Sequence, residues 1–244
     1  MFMTDEELSN TIFLDVETVS AESSYHNLCD RMKNLWNKKA SNLSAKLELT
    51  INEYSQLYDD KAAIYAEFNR IICISVGILI RTKDRFYLKV KSFYGEDESV
   101  ILNEFKSLLD VYYNDLDMHY LCGHNIREFD CPVICRRMLV NKIQLPILLD
   151  ISRKKPWQLN HLADTLQMWK FGDFKSYVSL DLLAAILNIE SPKGNIDGSM
   201  VSGVYWNDGD IERIKSYCEK DVVVTVKVFL SLLLKDHFDE VVYA

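Results

Sequence analysis

Residues 11–20, TIFLDVETVS, are the stretch that most narrows what this chain can fold into. Apolar residues dominate it, no glycine or proline interrupts it, and it reads as a β-strand. It nevertheless carries Asp15 and Glu17. Side chains at i and i+2 of a strand point to the same face, so the two carboxylates sit side by side and repel each other unless something compensates. On the strand pattern alone, a charged edge that resists aggregation or a strand with one solvated face accounts for them as well as a functional site does.

The rest of the chain alternates between strand-like and helix-like patterns. Residues 21–66 contain neither glycine nor proline, and their spaced apolar positions (Leu28, Met32, Leu35, Trp36, Leu43, Leu47, Leu49) predict helices, which reads as an insertion after the first strand. RIICISVGILI (70–80) and RFYLKVKSFYG (85–95) flank the short polar stretch RTKD (81–84), as an antiparallel hairpin requires. Helical spacing follows over 97–114, then a short strand in MHYLCGHN (118–125) and a helix from about Cys131 to Asn141. HLADTLQMWKF (161–171) reads as a further strand-like segment. SLDLLAAILNI (179–189) reads as a helix ended by the turn residues Pro192, Gly194 and Gly198, and a long helix from about Asp208 to Leu234 closes the pattern. The expectation is an α/β fold with a mixed sheet flanked by helices.

A chain of 244 residues, 48% of them hydrophobic, suits one large domain over residues 1–244. The formal net charge of -8 disfavours binding to a phosphate backbone unless cations or local basic patches intervene. SRKKPW (152–157), with Trp157 able to stack on a base, and the arginines of CRRM, Arg136 and Arg137, are such patches, though ordinary solvated charge explains them equally well. Six cysteines without a C-x-x-C pair read as reduced thiols of a cytoplasmic protein. The acidic start MFMTDEELSN lacks the pattern of a secretory signal, and the apolar run at 71–80 is about half the ~20 residues a membrane span needs.

Two further places set acids among apolar residues. In CGHNIREFDCPVICRR, Asp130 precedes a helix with Pro132 in its first turn, where Asp is a favoured N-cap. In IERIKSYCEKDVVVTVKVFL, the residues Ile214, Tyr217, Cys218, Asp221, Val224, Thr225 and Val228 fall on one helical stripe, with Asp221 in its middle and Tyr217 one turn earlier. Each has a structural explanation on its own. Together, four acids from a first strand, a middle helix start and a last helix can converge, and such a cluster is stable when it shares cations. Carboxylate oxygens suit hard divalent ions, and no helical His-x-x-x-His or cysteine cluster points to zinc.

In this arrangement the sequence resembles the 3′-5′ exonucleases of the DEDD superfamily, on the ribonuclease H-like fold. D-x-E matches Asp15 and Glu17 in FLDVETV, N-x-x-x-F-D matches Asn125 to Asp130 in NIREFD, and Y-x-x-x-D matches Tyr217 to Asp221 in YCEKD. The sister group has His five residues before its last aspartate; here Ser216 stands there and Tyr217 follows, which resembles the tyrosine type. The likeness is closest to stand-alone bacterial proteins related to the proofreading domain of family B DNA polymerases, and with no polymerase segment following, coupled proofreading within one polypeptide is not expected. The resemblance implies metal-dependent hydrolysis from the 3′ end of nucleic acid, with single-stranded DNA as the expected substrate ahead of RNA. It implies two Mg²⁺ or Mn²⁺ ions held by Asp15, Glu17, Asp130 and Asp221, with Asp15 shared, Tyr217 orienting the attacking water, and Thr18 and Asn125 contacting the terminal nucleotide. A binding module that has lost the chemistry, or an exoribonuclease, is the alternative.

Overall fold

The computed structural model describes residues 3–47, 54–83, 85–173, 177–190 and 196–244. Its strands are β1 (Thr11–Ser20), β2 (Asn69–Arg81), β3 (Phe86–Tyr94), β4 (Tyr120–Gly123), β5 (Leu162–Asp164) and β6 (Val241–Tyr243). Among the described residues they form one sheet in the order β5-β4-β1-β2-β3-β6. β1, β2 and β3 pair antiparallel, β4 runs parallel to β1, β5 parallel to β4, and β6 parallel to β3. The strand with the two acids therefore lies inside the sheet, paired with β4 over Thr11–Phe13 and with β2 along the acids, and it is not an edge strand.

The helices are α1 (Asp5–Ser9), α2 (Asp30–Leu47), α3 (Tyr54–Lys61), α4 (Glu98–Tyr112), α5 (Asp130–Val140), α6 (Thr165–Lys170), α7 (Leu180–Ile186), α8 (Val201–Gly203) and α9 (Ile211–Leu232). Strand alternation decides which of them each side of β1 meets. Ile12, Leu14 and Val16 pack with Ile101, Leu102 and Phe105 of α4 and Ile134 and Met138 of α5. Phe13, on the opposite face, packs with Val222, Val226 and Phe229 of α9, its ring edge-on to Phe229 with centroids 5.3 Å apart. Each such buried side chain contributes about 1.5–3 kcal/mol. Asp15 and Glu17 share the face of Phe13, so the strand turns its acids toward α9. Gly77, paired with Phe13 across the sheet, lets the helix in: a Cβ there would stand 2.7 Å from Cγ1 of Val222.

Helices do occupy the segment between β1 and β2, where α2 and α3 close over Trp36, Tyr58 and Phe68 as a separate aromatic cluster. The strand expected at 161–171 is only three residues long. Asp164 ends it and accepts from the amides of Leu166 and Gln167, which starts α6 where a strand was expected to continue. The stripe on α9 also divides: Val224 and Val228 pack with Leu183 and Ala184 of α7 rather than the sheet, because the helix is covered on two sides. Cys73, Cys122, Cys131 and Cys218 are buried, Cys135 is partly buried and Cys29 is exposed. Pro192, Gly194 and part of the 81–84 hairpin turn lie outside the described residues. No described helix is long and apolar enough to cross a membrane.

Candidate active site

β1 changes register just where its acids lie. Asp15 is opposite Ser75 and Glu17 opposite Cys73, but Thr18 is opposite Ile71, which leaves Ile72 as an extra residue on β2. Such a bulge bends a strand and re-aims its side chains. Beyond it the Thr18 hydroxyl donates to the Ala63 carbonyl at 2.7 Å. Its proton is committed within the fold.

α9 crosses this face of the sheet and brings the third motif to the first. The Cys218 thiol donates to the Asp15 carbonyl oxygen at 3.4 Å, and one ligand atom each of Asp15, Glu17 and Cys218 lie within 4.8 Å of one another. The Tyr217 hydroxyl hydrogen-bonds to the Asp221 carboxylate. Asp130 arrives from the start of α5, but not as its N-cap: that position is Phe129, and no side chain caps there. The Asp130 carboxylate instead accepts from its own backbone amide and from that of Val16, between the two strand acids.

Burial raises all four acids, and at Asp15 and Glu17 the neighbouring carboxylates add to the rise. Burial, then the charges of Asp221 and Asp130, push Asp15 well above the usual carboxylate range. Burial, then Asp15 and Asp221, do the same to Glu17. Burial pushes Asp130 up to about 7. Asp221 rises to about 6, again through burial, with the Tyr217 hydrogen bond acting against the rise. Tyr217 itself is raised by burial and by Asp221, so its phenol stays protonated near neutrality. Asp15 Oδ2 is buried without any hydrogen-bond partner.

Residues 63–244 match the family described as a predicted 3′-5′ exonuclease related to the exonuclease domain of PolB. The chain belongs to this family. The match includes Asn125, Asp130, Tyr217 and Asp221 and begins after Asp15 and Glu17, which the fold brings to the same place. Among solved structures, the family B DNA polymerase of the hyperthermophilic archaeon Pyrobaculum calidifontis superposes with a TM-score of 0.56 at 15% identity, over 92% of this chain and 24% of that one. The chain thus spans about a quarter of that polymerase's length, and the likeness establishes a ribonuclease H-like α/β fold. No curated protein matches.

The donor set of this chain fits hard divalent cations. It consists of carboxylates, one of them with a buried oxygen that no protein donor satisfies, and cations would offset the burial that raises all four and the mutual repulsion that adds to it at Asp15 and Glu17. The turn carrying the second motif is held by a residue outside all three motifs. Asn125 adopts a left-handed conformation, φ 64°, and its amide donates to Asp164 Oδ1 at 3.0 Å while that of Arg127 donates to Oδ2 at 3.2 Å. In the sequence Asp164 is an acid in the apolar run LADTL, readable as a polar strand end or as a support for the site. The His124 ring bridges the Thr165 hydroxyl at 2.9 Å and the Val178 carbonyl at 2.8 Å, tying the 177–179 segment to the second motif. Of the basic patches, Trp157 is exposed, but Arg137 is paired to buried Glu98 at 2.6 Å and bonded to the Ala66 carbonyl, so it serves the fold.

Proposed function

We propose that the whole chain is one 3′-5′ exonuclease domain, with residues 21–66 as a helical insertion, which removes nucleoside 5′-monophosphates from the free 3′ end of single-stranded DNA. The observation that carries this reading is the meeting of Asp15, Glu17, Asp130 and Asp221, with Asp15 Oδ2 buried and unsatisfied, in a chain of a 3′-5′ exonuclease family. Two Mg²⁺ or Mn²⁺ ions held by these carboxylates would activate water and neutralise charge on the attacking and leaving oxygens. Asp15, which feels the charges of both Asp221 and Asp130, would be the shared ligand, with Glu17 and Asp221 holding one ion and Asp130 the other.

Tyr217 is no base, because its proton is held more tightly than in a free phenol and is donated to Asp221. It positions instead: the donated bond fixes the Asp221 carboxylate, and the phenol oxygen can accept from the attacking water. Asn125, whose Oδ1 is buried without a partner, can bind the terminal nucleotide. Thr18 would contact it through its backbone or an oxygen lone pair. With a net charge of -8, two divalent ions leave the loaded protein acidic, and binding to the strand is weak and sensitive to salt.

The test is degradation of matched 3′-labelled and 5′-labelled DNA and RNA oligonucleotides, with Mg²⁺ and then with EDTA, beside a circular single strand. Mononucleotide release from linear DNA that stops in EDTA and spares the circle supports the proposal. Cleavage of the circle, or no hydrolysis with Mg²⁺ or Mn²⁺, overturns it, and faster RNA decay moves the substrate to RNA.

A further inference from the structure

Cys218 is the one member of the 4.8 Å cluster that hydrolysis with hard ions does not use. Its thiol is buried between α9 and β1, bonded to the Asp15 carbonyl oxygen at 3.4 Å. Cys73, opposite Glu17 on β2, shares a hydrogen bond with it and is itself 3.6 Å from the Ser75 hydroxyl. The sulfur is therefore held in place, facing two carboxylates, and Asp15 Oδ2 has no competing donor. A sulfur and an oxygen sharing one tetrahedral zinc ion stand about 3.6 Å apart, given Zn–S and Zn–O bonds of ~2.3 and ~2.1 Å. From within 4.8 Å, small side-chain rotations close the set.

Mg²⁺ and Mn²⁺ take carboxylate oxygens and leave a thiol untouched, whereas Zn²⁺ and Cd²⁺ gain from sulfur. We propose that Asp15, Glu17 and Cys218 form a site for a thiophilic divalent cation, Zn²⁺ or an ion of its class, overlapping the carboxylates of the exonuclease site so that its occupancy shuts off hydrolysis. On binding, the Cys218 S–H bond breaks, its proton passes to solvent and a sulfur–metal bond forms, with no change of oxidation state. The shut-off rests on the exonuclease reading; the cation site rests on the three donors alone.

Cd²⁺ is the probe, because a cadmium–thiolate bond has its own ultraviolet charge-transfer band. Metal-free, reduced protein is titrated with CdCl₂ beside Cys29→Ser, Cys73→Ser and Cys218→Ser. The band should saturate at one equivalent, survive in Cys29→Ser and Cys73→Ser, and vanish in Cys218→Ser. Circular dichroism checks that each variant is folded. Should Cys218→Ser not fold, Asp15→Asn, which keeps the thiol, should weaken Cd²⁺ binding by at least the ~10–100-fold that loss of an outer-shell partner costs. A one-equivalent band that persists in Cys218→Ser, disappears in Cys29→Ser, or is missing from the parent overturns the site, as does unchanged affinity in Asp15→Asn. In the activity arm, equimolar Zn²⁺ added over excess Mg²⁺ should stop mononucleotide release, and chelation followed by fresh Mg²⁺ should restore it. Release that continues with the site filled overturns the shut-off. A parent that binds Cd²⁺ through Cys218 yet never releases nucleotides supports the cation site and overturns the exonuclease reading.

Discussion

Removing one charge from the four-acid cluster should stabilise the metal-free protein, although replacing a buried acid normally destabilises. Burial raises Asp221 from its ordinary 3.8 to about 6, with the Tyr217 hydrogen bond opposing the rise and Asp181 adding to it. A rise of about 2 units means that keeping Asp221 ionised at pH 8 costs the fold about 3 kcal/mol. Asp221→Asn removes that cost and keeps an amide oxygen for the Tyr217 hydroxyl; the charge assistance of that bond is already contained in the net rise. The gain of about 3 kcal/mol corresponds to a melting temperature about 6–12 °C higher. Between pH ~4 and ~6 the folded parent holds a proton that the unfolded chain has released. The parent's stability is therefore favoured on the acid side and declines as pH rises through 6, and the 3 kcal/mol shrinks to about half at pH 5. The assay is thermal unfolding by circular dichroism in EDTA at pH 8 and pH 5, repeated with Mn²⁺, which should raise the parent's melting temperature and the variant's much less. Asp221→Asn melting well below the parent at pH 8 in EDTA, with a normal response to Mn²⁺, would refute the reasoning and make Asp221 a structural hydrogen-bonding residue.

Tyr217→Phe should keep the Mn²⁺-induced rise in melting temperature and lose turnover by ~10–1000-fold, measured as mononucleotide release at saturating substrate; full activity would remove Tyr217 from the mechanism. Asp164→Ala leaves the amides of Asn125, Arg127 and Leu166 without their acceptor. At ~1–3 kcal/mol for each group left unsatisfied, urea unfolding should show a loss of at least about 2 kcal/mol, and activity should fall because the turn leading to Asp130 loosens. A terminal 3′-phosphate should slow degradation strongly while a 5′-phosphate has little effect; equal slowing by both would contradict attack from the 3′ end.

The strands β1 to β4, the helices α4, α5, α7 and α9, and the helical character of the segment after β1 were all legible in the sequence, because the periods of two and 3.6 that mark them are local properties of consecutive residues. The acids were legible for a related reason: a carboxylate in an apolar run is costly, so Asp15, Glu17, Asp130 and Asp221 stood out one by one. Their neighbours did not. β5 was legible only as part of a longer strand-like segment, and β6, three residues long, is too short to show a period and pairs in parallel, which leaves no hairpin turn in the sequence to announce it. Only the tertiary structure put β1 between β4 and β2, turned Asp15 and Glu17 toward α9, and shifted the register after Glu17. It alone gave Asp164 the second motif to hold, His124 its bridge to Val178, and Cys218 its place among the acids. These contacts join residues 39, 54 and 203 positions apart along the chain. No local pattern encodes such distances; they come from burying both faces of one twisted sheet at once, which fixes what each helix must cover and so which side chains meet.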